Sequence, residues 1–229
     1  MKATGYPQRA TSSDTQASAQ AITGAREIAI LVAANHLTAA EAMLRAALDD
    51  PATREDEQAW LMLLELLCLA GRREEFDALL DAYRDAHGSS GPRWGLAEPV
   101  EAPGTHVLRG VIRGQPEELD ELCRFAAARK TMVIDLGQVE RIDYAGLHAF
   151  QQVFSQLSAS GRRVILSNVS ELAAVLLQAV GMDRHAVIMR RKVSEARLAG
   201  LTSRPALRSV DSPAVAPRQE AEEQIQLAA

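Results

Sequence analysis

The stretch VIDLGQVERIDYAGLHAF, residues 133–150, changes its hydrophobic period midway, and that change decides how the second half of the chain folds. Thr131 to Leu136 is an apolar run ending in Asp135 and Leu136, short enough for a strand buried within an α/β sheet and covered on both faces. A short polar turn is expected next. Ile142-Asp143-Tyr144-Ala145-Gly146-Leu147 then leads into a helix whose Leu147, Phe150, Val153, Phe154 and Leu157 recur at helical spacing, with an end near Gly161.

The flanks repeat this alternation. His106 to Ile112 reads as a strand. Pro116, at a first helical position with Glu117 and Glu118 behind it, opens a helix with Leu119, Leu122, Cys123 and Ala126 as its core face. Arg163 to Ser167 is a third strand. Ser170 caps a helix that turns Leu172, Val175, Leu176, Ala179 and Val180 inward and stops at Gly181, and Ala186 to Met189 is a last short strand. Strand and helix alternating in this way call for a small sheet with helices packed against it.

Upstream the pattern is helical throughout. Glu27 to Asn35 supplies a helix through Ile28, Leu31 and Val32. Thr38 and Glu41 have the spacing of a capping box, which predicts a helix from Ala39 to the Asp49-Asp50-Pro51 stop. Arg54 to Ala70 is apolar on nearly every side and must be covered on several; Arg73 to Ala86 offers one cover through Phe76, Leu79, Leu80 and Tyr83. Two helical hairpins in a row resemble tetratricopeptide-type repeats. Such hairpins either present a peptide groove or serve as a packing and dimerisation surface.

Gly88 to Gly104 is rich in Gly, Ser and Pro and reads as a linker, with Trp94 expected to dock on a neighbouring domain. The predicted organisation is a disordered start over 1–24, a helical-hairpin domain over 25–87, a linker over 88–104, an α/β domain over 105–191, and a largely disordered tail over 192–229 that begins with a short helix, Val193 to Leu198.

The region from Thr105 to Arg191 resembles a STAS domain of the kind found in anti-sigma factor antagonists. Three features carry the resemblance: the apolar strand ending in Asp135-Leu136, the turn Ile142-Asp143-x-x-Gly146-Leu147, and Leu166-Ser167-Asn168-Val169-Ser170 before a helix ending in Val180-Gly181-Met182. The resemblance implies an α/β STAS fold, a small mixed sheet with packed helices. It also implies that the turn Asp143, Tyr144, Ala145, Gly146 and Leu147 faces a protein partner, often a kinase with an anti-sigma role. In the family a Ser or Thr in that turn is phosphorylated, and the added charge breaks the complex. Here Tyr144 and Ala145 occupy those positions, so the usual phosphoacceptor is missing. Asp143 reads equally as a helix cap or a partner contact, and Tyr144 as an aromatic anchor.

Composition narrows the function classes. With a net charge of -5 and a pI near 5.6 the chain has no global attraction for nucleic acid or anionic lipid. No apolar run reaches the ~20 residues of a membrane span, and the first residues lack the apolar centre of a secretory signal, which gives the expectation of a cytoplasmic protein with no direct membrane insertion; that the protein is bacterial is what the STAS resemblance implies. Cys68 and Cys123 are expected to be buried thiols, and the five His residues form no metal-ligand spacing. Without a phosphate loop, nucleophile elbow or paired carboxylates, neither catalytic residues nor a cofactor are assigned. The leading expectation is a non-enzymatic regulatory adaptor; the alternative is the STAS subunit of a lipid-transport ATPase complex.

Overall fold

The computed structural model describes residues 24–100 and 102–192, all within one compact unit. The expected disordered segments up to residue 23 and from residue 193, with the short helix over 193–198, lie outside the described residues.

Four helices come first: α1 over residues 24–33, α2 Leu37–Asp49, α3 Glu57–Leu69 and α4 Arg73–His87. α3 is apolar all round and buries Trp60, Met62, Leu63, Leu64, Leu66 and Leu67. It starts later than the sequence suggested, because Asp56 takes the N-cap and accepts a hydrogen bond from Gln58 N at 3.0 Å. α4 turns Phe76, Leu80 and Tyr83 inward and ends at Gly88, whose φ of +63° is the left-handed conformation that closes a helix.

The capping box expected at Thr38 does not form. α2 begins at Leu37 with His36 at its N-cap and no side-chain cap bond. Glu41 is otherwise engaged: Oε1 accepts from Arg45 Nε at 2.8 Å and Oε2 from Arg72 Nη1 at 2.6 Å, an ion-pair bridge from α2 to the turn before α4. Burial would raise the Glu41 pKa, but the two guanidiniums outweigh it and hold the carboxyl below its usual range.

The second half alternates β1 Thr105–Ile112, α5 Pro116–Ala127, β2 Thr131–Ile142, α6 Tyr144–Ala159, β3 Arg163–Val169, α7 Glu171–Ala179, a 3₁₀ turn Met182–Arg184, and β4 Ala186–Arg190. The sheet order is β1-β2-β3-β4 and all three pairings are parallel. Each strand is joined to the next by a helical crossover, which returns the chain to the same end of the sheet and makes it parallel rather than mixed.

Burial alternates along the strands. Met132, Ile134, Leu136, Val164 and Leu166 are buried, whereas Val133 and Ile165 are half-buried and Val187 is exposed. One face therefore lies under the crossover helices. The other is not covered as the sequence suggested: what lies across it is an irregular strap, Gly95 to Val100. Ala97 N donates to Gly137 O at 3.0 Å and Val100 N to Asp135 Oδ2 at 2.6 Å.

β2 is twice its expected length. The residues read as a polar turn continue the ladder with β1, pairing Arg109 with Gln138, Gly110 with Val139 and Ile112 with Ile142. Register shifts after Val107 and after Gly110 absorb the broken apolar pattern that made this stretch look like a turn. Cys123 also departs from expectation. It is exposed on α5, where Leu122 and Ala126 alone are fully buried; Cys68 is half-buried, and both thiols are free.

Candidate partner-binding turn

Strand β2 runs straight into α6 with one residue between them, Asp143. Its backbone N donates to Ile112 O at 3.0 Å and its side chain accepts from Gly146 N at 2.8 Å. Asp143 is thus the N-cap of α6, the reading its position in the sequence allowed.

Gly146 is required by close packing. A Cβ built there would lie 2.2 Å from Ile112 O, well inside van der Waals contact. The first turn of α6 is seated directly on the end of β1. Gly114, at φ +69°, brings the next segment equally near: a Cβ there would meet Ala149 Cβ at 2.8 Å. Leu147 is buried in the core.

The five expected site residues therefore divide. Gly146 and Leu147 are buried, Asp143 is partly buried as a cap, and Tyr144 and Ala145 face solvent. Tyr144 is 58% exposed and stacks edge-on against His148 one turn later, with centroids 4.7 Å apart. A tyrosine presented at a helix N-terminus offers a large amphipathic contact area with only two side-chain torsions to order on binding.

Asp135 is the second organising group, and it faces inward. It is wholly buried. Its oxygens accept from Val100 N at 2.6 Å, Gly137 N at 2.8 Å, and Asn168 Nδ2 at 3.1 and 3.2 Å. Asn168 adopts φ +52°, a conformation that Asn tolerates better than most residues. The carboxylate thereby ties the strap, β2 and the end of β3 together.

Glu65 had no assigned role in the sequence beyond interrupting an apolar run. In the structure it leaves α3 and caps α7: Oε1 accepts from Glu171 N at 2.8 Å and Oε2 from Leu172 N at 2.9 Å. Burial pushes its pKa up to about 7 against the opposing pull of these two amides and Arg191, with Glu171 adding to the rise. An acid amid leucines was the available signal. Gln58 supports the same junction by donating to Glu171 Oε1 at 2.6 Å.

A four-stranded parallel sheet with helices on one face, a capped helix start that presents two exposed residues, and helices docked on α7 define an α/β domain joined to a helical region. The chain belongs to the STAS domain family: the family model matches residues 68–196, more than half of the sequence. The match begins inside α3, upstream of the first strand. No curated protein and no solved structure matches the chain. STAS domains are generally non-catalytic, commonly engage protein partners, and occur in anti-sigma antagonist-like and transporter-associated settings. Among the described residues no helix is long and apolar enough to cross a membrane, and no group of three His, Cys, Asp or Glu side chains could hold a metal ion.

Proposed function

We propose that this protein is a non-enzymatic regulatory adaptor of the bacterial cytoplasm. Its α/β domain, residues 105–191, engages a protein partner through the start of α6, with Tyr144 and Ala145 as the contact and Asp143, Gly146 and Leu147 shaping the backbone beneath them. The observation that carries this reading is the 58% exposure of Tyr144 at a helix N-terminus whose neighbours are locked to Ile112. An aromatic of this size and exposure is a typical interface anchor.

Control by Ser/Thr phosphorylation has no acceptor at positions 144 and 145 in this reading. The helices over 25–87 form a tetratricopeptide-like adaptor, joined to the α/β domain by the span 88–104.

The test is affinity purification of the full chain from its native host, comparing wild type with Tyr144→Arg. A specific protein retained by wild type and lost from the variant supports the proposal. Retention of the same protein by both would rule out the α6 turn as the contact. Co-purification of a membrane ATPase and its permease would place the adaptor in a transport complex rather than a sigma-factor circuit.

A further inference from the structure

Two adjoining spaces lie where the helical region meets the α/β domain, and they differ in chemistry. The first, about 280 Å³, runs between α3, α7 and β2 and is lined by Leu69, Phe76, Leu136, Val139, Leu172 and Leu176. Leu136 and Ile142 both border it, so it follows β2 for roughly 20 Å at about 3.3 Å per strand residue. Its volume is nearly twice the ~150 Å³ of an apolar cavity that takes up benzene, enough for a chain of about ten carbons.

The second space is a cleft of about 530 Å³ at the carboxyl ends of β3 and β4. Arg93, Arg190, Arg191 and Lys192 line it together with Glu65, Glu98 and Glu171. Glu171 is paired with Arg190 at 2.7 Å, and Glu65, whose oxygens accept backbone amides of α7, also feels the charge of Arg191, which donates through Nη2 to Gly137 O at 3.4 Å. Arg93 and Lys192 then stand against Glu98, leaving one cation in excess.

Two buried polar atoms in this cleft have no hydrogen-bond partner among the described residues: Arg191 Nε and Ser167 Oγ. Buried donors are ordinarily satisfied, so two left open in a cleft with an excess of positive charge point to an anionic acceptor. Arg191 also borders the apolar space, as do Arg93 and Leu96. The polar cleft and the apolar channel therefore meet at two guanidiniums, those of Arg93 and Arg191.

We propose that the two spaces together bind a single-chain amphiphile with an anionic phosphate or carboxylate head. The head sits on Arg191 and Ser167 and the alkyl chain lies along β2 beneath α3 and α7. Such a ligand would fill the joint between the helices and the sheet.

Calorimetric titration of the full-length protein tests this with three probes held below micelle-forming concentrations: decyl phosphate, inorganic phosphate and decanol. The expected result is saturable binding of decyl phosphate at least tenfold tighter than either other probe. Arg191→Gln should weaken it by tenfold or more. Ala173→Leu, which extends a half-buried α7 side chain into the channel, should weaken decyl phosphate severalfold while leaving the circular dichroism spectrum unchanged. Absence of saturable decyl phosphate binding would overturn the proposal. So would decanol or inorganic phosphate binding within tenfold of it, or wild-type affinity in both variants.

Discussion

Glu65 and Leu172, 107 residues apart in sequence, meet through a 2.9 Å hydrogen bond from the Leu172 amide to the Glu65 carboxylate, with the Glu171 amide held on the other oxygen at 2.8 Å. A helix N-terminus leaves its first amides without intrahelical partners, and here a side chain from another helix supplies what a local cap alone does not. Ser170 caps the same helix by accepting from Ala173 N at 3.3 Å. Glu65→Ala should destabilise the protein by about 2–4 kcal/mol, since two buried amides lose their acceptors. Chemical denaturation measures this.

The same carboxyl sets a pH dependence. Its folded pKa is about 7, against 4.5 as the ordinary value. Between these pH values the folded chain holds a proton that the unfolded chain has released, so the contribution to stability is full below about pH 4.5 and is lost as pH rises through 7. Glu65→Gln, which cannot titrate, should flatten the denaturation midpoint across that window. An unchanged slope in the variant would assign the pH dependence to other groups.

Asp135→Ala should cost about 3 kcal/mol or more and loosen the strap. Val100 N, Gly137 N and Asn168 Nδ2 all lose their acceptor in a site that excludes water. Hydrogen exchange should show faster exchange at Val100 and Gly137 in the variant, with α4 unaffected.

The fold was legible where the pattern was local and unambiguous. The alternation after residue 105, the cap at Ser170 and the stops at Gly88 and Gly181 follow from periodicity and backbone preference, and each element appears in the structure. The second half of β2 was not legible, because Gly137-Gln138 and Glu140-Arg141 break the apolar run that marks a buried strand. Only pairing with β1 makes it one. Within the candidate site, the cap at Asp143 could be read from residue type. The need for Gly146 could not, since it arises from the carbonyl of Ile112, 34 positions earlier. Thr38 and Glu41 failed as a capping box for a similar reason: Arg72, distant in sequence, holds the glutamate.

Gly146→Ala should lower stability by about 2–4 kcal/mol, because the new methyl would stand 2.2 Å from a backbone oxygen that only movement of α6 or β1 can relieve. Ala145→Ser, on the exposed side of the same turn, should change stability by less than about 0.5 kcal/mol. Thermal melts of the two variants side by side check the division between buried and presented positions.

Trp94 packs edge-on against Phe76 with centroids 5.1 Å apart and carries the Arg73 guanidinium 5.2 Å from its ring. Trp94→Ala should cost about 1–2 kcal/mol. It should also shift fluorescence toward the signal of Trp60 alone. Increased protease cutting near Trp94 would report release of this span from α4.

The carboxylate of Glu65 has a history during synthesis. α3 leaves the ribosome with its leucines and its acid before α7 exists, and the amides that complete it arrive 107 residues later. At about 5–20 residues per second that interval is roughly 5–20 s. For that time a helix apolar on every side is covered by its helical neighbours and not yet by α7, so the nascent polypeptide passes through a period in which leucines of α3 are open to other chains, a risk that the finished molecule no longer shows.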